Sequence, residues 1–300
     1  MPYSFLANPR ATSETLGRWN LHAKKSLGQH FLVDDGVIGG ILELSEVEPG
    51  DTVLEVGPGI GTLTVGLLSA GADVVAVEKD PDLHPVLEEN ASLATDGDDA
   101  ARMALLGMDA LNLDAEQLLE AAGSLREPGE PRKLVSNLPY SIAATLVLEY
   151  LQKLDVMRMA CVMVQAEVAD RICAHPGTKD YGSYTIKVRL LATPGDGFEV
   201  PPTCFSPQPR VMSKVIRLDR IEAAGDEPAR QSACMMADAA FYQRRKTIRN
   251  SMQAYLSRLD VGGERVDAVL EAAGIDPRSR GEMHGVDEFL EMGRAFLATA

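Results

Sequence analysis

Short apolar runs alternate with longer amphipathic stretches along the first two thirds of the chain. Apolar runs bounded by turn residues are typical of buried strands, and apolar residues spaced three and four apart are typical of helices. The predicted strands are 52–56, 73–78, 102–106, 133–136, 159–165, 198–200 and 211–218. The predicted helices are 33–44, 60–70, 81–93, 114–122, 142–151, 167–174 and 183–192. β-Branched residues in the last of these leave its assignment open.

This alternation predicts an α/β fold with a parallel sheet and helices on both of its faces. The last two strands follow one another without a helix and are expected to form an antiparallel hairpin at one edge. After a polar stretch with glycine and proline at 219–228, only helical patterns remain, at 229–241, 247–257, 263–273 and 286–297. We therefore predict a mobile arm at 1–22, a sheet domain at 23–219, a linker at 220–228 and a helical domain at 229–300.

Composition adds a conflict between overall charge and local charge. The 300 residues carry a net charge of -15, which by itself argues against binding to nucleic acid. One segment nevertheless holds four cations and no acid, namely Arg244, Arg245, Lys246 and Arg249, and Lys24 with Lys25 forms a smaller cluster. Because binding depends on local patches, we predict phosphate contacts at these residues. The alternative is a solvated helix face, with Arg245 and Arg249 one turn apart.

The remaining composition indicates an ordinary cytoplasmic protein. The chain has four cysteines without zinc spacing, which predicts free thiols, and we predict no metal site. No signal peptide is visible at the N-terminus, and no apolar run reaches the ~20 residues that a membrane span needs. We expect a monomer that does not bind membranes.

A glycine-rich turn follows the first predicted strand of the sheet. It reads Glu55-Val56-Gly57-Pro58-Gly59-Ile60-Gly61, and glycines in such a turn let the backbone approach a ligand closely. Glu78 ends the next strand, where a carboxylate can accept from two ribose hydroxyls. Asp109 follows the third strand and can accept from an adenine amino group. The turn is not G-x-G-x-x-G, which together with Asp109 favours S-adenosylmethionine over NAD. The alternative is a strand–helix turn without a ligand.

The fourth strand ends in Asn137-Leu138-Pro139-Tyr140. The amino nitrogen of adenine is a poor nucleophile, because its lone pair is delocalised into the ring. Two acceptors can draw the lone pair out of conjugation, and Asn137 with the backbone carbonyl of Leu138 would provide them. Pro139 biases Leu138 toward an extended conformation, and Tyr140 offers a ring on which a base can stack. These residues predict methyl transfer to an adenine amino group, while the alternative is an ordinary Asn-x-Pro turn.

These motifs resemble those of the bacterial small-subunit (16S) ribosomal RNA adenine N6,N6-dimethyltransferase family. The resemblance runs from Lys24 to about Leu297. It rests on the two motifs above and on three further blocks: Lys25-Ser26-Leu27-Gly28-Gln29-His30-Phe31-Leu32, Val200-Pro201-Pro202 with Phe205-Ser206-Pro207, and Phe241-Tyr242-Gln243-Arg244-Arg245-Lys246-Thr247-Ile248-Arg249-Asn250-Ser251. It implies a Rossmann-like class I methyltransferase sheet with a helical RNA-binding C-terminal domain. The activity implied is dimethylation of two adjacent adenines near the 3′ end of small-subunit RNA, in the 30S subunit during ribosome biogenesis.

The resemblance also implies individual site residues. Donor contacts are implied at His30, Leu32, Gly57, Glu78, Asp109 and Asn137, to which the turn adds Glu55 and Gly59 as cofactor-binding candidates. Target-base contacts are implied at Asn137, Tyr140 and Phe205. Two positions depart from the family pattern, since the family usually has Asn at position 30 and Pro at position 208, where this chain has His30 and Gln208. Without the resemblance, Phe205 would be interpreted as loop packing.

Two other functions remain open from the sequence. One is methylation of large-subunit ribosomal RNA, as in macrolide-resistance enzymes. The other is a non-catalytic ribosome-assembly or transcription factor on the same scaffold. Intact Asn137, Glu78 and Asp109 favour catalysis, and the basic run with its helical tail favours the small subunit.

Overall fold

A seven-stranded sheet carries the loops that were predicted to bind ligands. The computed structural model describes residues 2–24, 27–95, 102–222 and 225–299. The strands are β1 Phe31–Leu32, β2 Thr52–Val56, β3 Asp73–Val77, β4 Met103–Leu106, β5 Pro131–Asn137, β6 Met159–Gln165, β7 Ala192–Val200, β8 Phe205–Ser206 and β9 Ser213–Arg220. The helices are α1 Pro9–Arg18, α2 Asp35–Ser45, α3 Thr62–Ser69, α4 His84–Ala94, α5 Ala115–Gly123, α6 Ala143–Lys153, α7 Ala166–Cys173, α8 Ser183–Arg189, α9 Glu227–Phe241, α10 Ile248–Leu256, α11 Gly263–Ala272 and α12 Val286–Ala298.

The sheet has the order β4-β3-β2-β5-β6-β9-β7. The first five strands in this order are parallel, and β9 is antiparallel to β6. The predicted Rossmann-like sheet is therefore confirmed, with the last two long strands side by side at one edge. Parallel strands place their carboxyl ends along one edge of the sheet, and ligands collect there. The chain reverses its strand order between β2 and β5, so the loops after these two strands are neighbours.

Buried aliphatic residues explain why these runs form strands. Val53, Val74 and Val135 are fully buried in the central strands, and Ile38 of α2 packs in the same cluster. β-Branched side chains fit the pleated surface of a strand, and burial on both faces gives the continuous apolar runs seen in the sequence. The four cysteines are free, as predicted. No helix within the described ranges is long and apolar enough to cross a membrane.

The chain divides into two units, and the division differs from the predicted domain bounds in one segment. The first unit comprises Met1–Ala169 and Gly195–Arg220, and the second comprises Asp170–Pro194 and Ile221–Ala300. Asp170–Pro194 therefore groups with the helical residues, although it lies inside the predicted sheet domain. The reason is local packing, since Tyr181 of this segment is buried in the same cluster as Phe289 of α12. Residues 227 and 228 of the predicted linker already lie in α9.

Several local predictions were wrong. Residues 9–18 form α1 instead of a mobile arm, capped by the side chain of Asn8 and anchored by buried Leu6. The backbone N–H of Ser4 also donates to the Asp35 carboxylate at 2.8 Å. The predicted helix at 183–192 ends at Arg189, and β7 begins at Ala192, which agrees with the β-branched content noted there. The short strands β1 and β8 had no periodic pattern to reveal them.

Candidate functional site

The loops after β2, β3, β4 and β5 line a cavity of about 210 Å³ in the first unit. The predicted donor residues on its wall are His30, Leu32, Glu55, Gly57, Gly59, Glu78 and Asp109. The predicted catalytic residues on its wall are Asn137, Leu138, Pro139 and Tyr140. The structure thus brings together eleven predicted residues that five separate stretches of sequence contribute.

Two features of the glycine turn require glycine: its backbone conformation, and neighbouring side chains that leave little room for a Cβ atom. Gly57 and Gly59 have positive φ values of 67° and 63°, which residues with a side chain rarely adopt. A Cβ atom on Gly57 would lie 3.0 Å from Cγ of Pro139, and one on Gly59 would lie 3.2 Å from the ring of Phe31. The turn therefore packs directly against the Asn-Leu-Pro-Tyr segment and leaves backbone, not side chains, facing the cavity.

Ser136 fixes the two key strand ends to each other. Its hydroxyl donates to the carbonyl of Val56 at 2.6 Å and accepts from the N–H of Val56 at 3.3 Å. Val56 directly precedes Gly57, and Ser136 directly precedes Asn137. Because Ser136 is buried, this link sets the register between the glycine turn and the Asn-Leu-Pro-Tyr segment without competition from water.

Glu78 is held at the carboxyl end of β3 by backbone donors. Its carboxylate accepts from the N–H of Gly59 at 3.1 Å and from the N–H of Asp80 at 2.8 Å. Burial raises the pKa of Glu78, and these two hydrogen bonds oppose the rise. Each carboxylate oxygen has a further lone pair, so the group can still accept from two hydroxyls of a ribose. Its position suits the nucleoside of a methyl donor.

Asp109 is paired with a lysine that the sequence analysis did not single out. The ammonium of Lys79 lies 2.7 Å from Oδ2 of Asp109, and the N–H of Leu111 donates to Oδ1 at 3.1 Å. The Lys79 hydrogen bond lowers the pKa of Asp109, which keeps the carboxylate charged and able to accept from an amino group. Tyr150 anchors the same loop by donating its hydroxyl proton to the carbonyl of Ala110 at 2.8 Å.

Glu55 is a buried acid in the wall of the cavity, behind the glycine turn. It is only 2% exposed, and its carboxyl accepts a hydrogen bond from the Thr64 hydroxyl at 2.7 Å. Burial raises the pKa of Glu55 to about 8, with the Thr64 hydrogen bond opposing the rise. The group is therefore mostly protonated at neutral pH, which avoids an unpaired buried charge.

The Asn-Leu-Pro-Tyr segment is positioned from both sides. Asn137 is the last residue of β5, and the N–H of Leu138 donates to the carbonyl of Met163 at 3.1 Å. The hydroxyl of Tyr140 lies 2.5 Å from the Ser213 hydroxyl on β9. Burial raises the pKa of Tyr140, so its hydroxyl stays neutral and takes no part as a base. A fixed ring next to Asn137 suits the stacking role predicted for Tyr140.

His30 contacts the tyrosine ring. The two rings are stacked with their centroids 5.8 Å apart and an interplanar angle of 25°. Nδ1 of His30 lies 2.7 Å from the carbonyl oxygen of Pro207. A carbonyl only accepts, so Nδ1 carries the proton and donates. His30 therefore links the Asn-Leu-Pro-Tyr segment to the loop after β8.

Phe205 does not line the cavity. Its side chain is 2% exposed and packs in the core cluster that contains Leu32 and Val37. It pairs with Leu32 across the short β1–β8 sheet. Phe205 therefore packs inside the protein, as it would be interpreted without the resemblance. The expectation that its ring faces a target base is wrong.

The predicted RNA-binding cations fall into two groups. Lys24, Arg244 and Arg249 are engaged with acids, because Lys24 contacts Asp80 and Asp82, Arg244 contacts Glu282, and Arg249 contacts Asp267. Arg245 and Lys246 are exposed and have no ion-pair partner within the described part of the chain. Lys25 lies outside the described residues.

The expected helical spacing of these arginines is wrong. Arg245 lies in a turn between α9 and α10, and Arg249 lies inside α10. The run itself contains no acid, but Asp267 of α11 pairs with Arg249, whose guanidinium makes two hydrogen bonds to it at 2.6 and 2.8 Å.

Three contributors to the site were missed from the sequence. Lys79 follows Glu78 directly, and this position next to a candidate carboxylate was the available signal. Ser136 precedes Asn137 in the same way. Ser213 is far from Tyr140 in the chain, and no local pattern connects them.

A family model described as "Ribosomal RNA adenine dimethylase" matches residues 20–292. "Ribosomal RNA small subunit methyltransferase A" of Alkaliphilus oremlandii is 34% identical over 285 residues, which cover 95% of both chains. The protein of the same name from Mycobacterium avium is 39% identical over 277 residues, covering 90% of this chain and 81% of its own length.

Solved structures show the same fold. A dimethyladenosine transferase from Plasmodium falciparum superposes with a TM-score of 0.73 at 21% identity, covering 90% of this chain and 98% of its own. The 23S rRNA methyltransferase ErmE superposes with a TM-score of 0.61 at 25% identity, covering 89% of this chain and 99% of its own.

Proposed function

Because the chain belongs to the ribosomal RNA adenine dimethylase family, we propose that it transfers methyl groups from S-adenosylmethionine to N6 of adenines in small-subunit ribosomal RNA. The names of its relatives at 34% and 39% identity support the small subunit. The proposed product is N6-dimethyladenosine at two adjacent adenines near the 3′ end, made during assembly of the 30S subunit. The observation that carries the proposal is the direct packing of the glycine turn against Pro139, which gives a donor site and a target site one shared cavity.

The residues on the donor side fit S-adenosylmethionine, which supplies a methyl group bound to a sulfonium. The glycine turn leaves room for a ligand against the backbone at Gly57 and Gly59. Glu78 would accept from the ribose hydroxyls, and the charged Asp109 would accept from the adenine amino group. Glu55 would act from behind the turn by holding it in place, since its carboxyl is buried and bonded to Thr64.

On the target side, Asn137 and Leu138 would orient the amino group of an adenine. The side-chain carbonyl of Asn137 and the backbone carbonyl of Leu138 would each accept one N–H. The Tyr140 ring would hold the base, which must leave its stack to enter the cavity. None of these groups has to remove a proton before the methyl is transferred, so proximity and orientation provide most of the rate.

RNA recognition would rest on shape and phosphate contacts. Arg245 and Lys246 are the cations proposed to contact phosphates, because no carboxylate among the described residues forms an ion pair with them. This local charge is how a chain of net charge -15 would bind a polyanion. We propose a monomer that acts in the cytoplasm, where small subunits assemble.

The test is methyl transfer from labelled S-adenosylmethionine into small or large ribosomal subunits isolated from a strain that lacks the activity. We expect label in the small subunit, recovered as N6-dimethyladenosine near the 3′ end by mass spectrometry of RNA fragments. Label confined to the large subunit would replace this proposal with the activity named for ErmE. Binding of RNA without donor binding in calorimetry would point to a non-catalytic factor instead.

A further inference from the structure

Most cations of the second unit already form a hydrogen bond or an ion pair with a neighbouring group. The arginine and lysine side chains described there mostly contact a carboxylate or a backbone carbonyl, as Lys187 contacts Asp238 and Arg265 contacts the carbonyl of Phe296. Within the described residues of this unit, the side chains with neither kind of partner are Lys179, Arg245, Lys246 and Arg258. Two of these lie in the turn at residues 242–246, and the others lie close to residues that the turn contacts.

Contacts to the 242–246 turn connect these cations. Arg258 donates from Nη1 to the hydroxyl of Tyr242 at 3.2 Å, and its guanidinium lies 5.6 Å from the centre of the Tyr242 ring. Lys179 follows Thr178, whose carbonyl accepts from Arg244 at 3.0 Å. The turn and the residues that contact it therefore carry four cations that form no ion pair within the described part of the chain.

The aromatic ring of Tyr242 belongs to the same turn as two of these cations and contacts a third, Arg258. Its side chain is among the exposed large apolar groups, at 46% exposure. The ring of Tyr255 supports it in an edge-on arrangement, with centroids 5.6 Å apart and an interplanar angle of 67°. An edge-on neighbour stabilises the ring while it leaves ring surface open to solvent.

Hydrogen bonds, two of them to a buried serine hydroxyl, hold the 242–246 turn in one conformation. The buried hydroxyl of Ser251 accepts from the N–H of Gln243 at 2.8 Å and donates to the carbonyl of Ala239 at 2.7 Å. The N–H of Lys246 donates to the carbonyl of Gln243 at 2.8 Å. A ligand that binds here would therefore meet a preformed surface and would not have to order it.

We propose that Tyr242 is a stacking platform for an unpaired base of ribosomal RNA, with Arg245, Lys246, Arg258 and Lys179 holding the adjoining phosphates. This inference deepens the proposed function and rests on it, because it assigns a second RNA contact to the same enzyme. Single-stranded RNA presents a flat π-face and a negative charge with every nucleotide, and aromatic rings among cations bind it through both. Base-paired RNA hides its base faces, so the site selects unpaired segments.

The test compares variants of the full-length protein in binding to a single-stranded oligoadenylate and to small-subunit RNA. Tyr242→Ala should weaken both about tenfold, the size expected for one lost base–aromatic stack. Tyr242→Phe keeps the ring and should retain most of the affinity. Leu259→Ala, which removes an equally exposed apolar side chain of the same unit, is the matched control and should bind normally. Wild-type affinity in Tyr242→Ala, or a loss in Tyr242→Phe as large as in Tyr242→Ala, would overturn the proposal.

A fluorescence measurement tests the stack directly. Tyr242→Trp in a Trp19→Phe background has one indole, since the chain has a single tryptophan. Oligoadenylate should quench this indole strongly, and an RNA duplex of equal length should quench it little. Equal quenching by both, or none, would contradict stacking of an unpaired base.

Unchanged S-adenosylmethionine binding shows that the variants are folded. Failure of the wild-type protein to methylate small subunits would reject the proposed function, whereas oligoadenylate binding is read independently of methylation.

Discussion

The charged side chains of the first unit's cavity are paired or hydrogen-bonded, whereas two cations of the 242–246 turn in the second unit are not. In the cavity, Glu78 accepts from two backbone N–H groups and Asp109 is paired with Lys79. In the turn, Arg245 and Lys246 are exposed and have no such partner among the described residues. The groups suited to chemistry are therefore fixed before a ligand arrives, while the groups suited to a polyanion keep their charge available.

The two regions also differ in how a substitution would act. A fixed polar group in a buried site contributes through its geometry, so its loss changes the rate of the chemical step. An exposed cation contributes through charge, so its loss changes affinity and the dependence on salt. The variants below separate these two kinds of effect.

The largest effect is expected for Asn137→Ala. Removing one of the two acceptors for the amino group should lower kcat about 10²- to 10³-fold, as for other preorganised polar groups in active sites. Single-turnover methylation of small subunits measures the step. RNA affinity should not change, and donor binding by calorimetry should persist. A wild-type rate in this variant would contradict the mechanism.

The next effect concerns stability and the buried Glu55. Its pKa of about 8 in the folded protein lies above the ordinary value of 4.5. Below pH 4.5, Glu55 is protonated in both the folded and the unfolded protein, and its raised pKa costs no stability. Between the two values the unfolded state releases the proton and the folded state keeps it, so stability falls as pH rises. Glu55→Gln, which stays neutral and can still accept from Thr64, should remove this loss.

Chemical unfolding at pH 5 and pH 8 measures this prediction. Glu55→Gln should be more stable than the wild type by roughly 4 kcal/mol at pH 8 and by only about 1 kcal/mol at pH 5. Glu48→Gln changes an exposed glutamate near the same sheet and should keep the wild-type pH dependence. An identical pH dependence in the wild type and Glu55→Gln would show that Glu55 is not a neutral buried acid.

A smaller effect is expected for the double variant Arg245→Ala/Lys246→Ala. Loss of two phosphate contacts should weaken RNA binding about tenfold at moderate salt, and should reduce the slope of log affinity against log salt by about 1.5. Filter binding over a series of salt concentrations measures both. Arg278→Ala is the control, because that exposed arginine is already paired with Asp276. Equal losses in the two proteins would mean that the unpaired cations have no special role.

The smallest effect is expected for His30→Asn. The change removes the ring stacked on Tyr140 and the hydrogen bond to Pro207. Tyr140 remains bonded to Ser213, so the KM for RNA should rise only about two- to threefold with kcat nearly unchanged. Steady-state methylation with RNA as the varied substrate measures this. A change in donor affinity without a change in the KM for RNA would show that position 30 serves the donor.

Much of the sheet was predictable because its strands are buried on both faces. The runs at 52–56 and 159–165 match β2 and β6 residue for residue. The N-terminal helix α1 was missed because it buries few apolar residues, with Thr12 and Thr15 on its packed face. The segment Asp170–Pro194 was assigned to the sheet domain because chain order alone cannot show that Tyr181 packs with the C-terminal helices.

Local patterns in the sequence were enough to predict the kind of chemistry. Gly57, Glu78, Asp109 and Asn137 follow strands of a parallel sheet, and such strands end at one edge, so local pattern was enough to place them together. Whether the other candidate residues can reach a base or a phosphate depends on the tertiary structure. Phe205 and Arg249 have the residue types that a base or a phosphate needs, but packing buries the first and Asp267 engages the second. Burial and ion pairing depend on neighbours that are distant in the chain, and for that reason no local pattern reveals them.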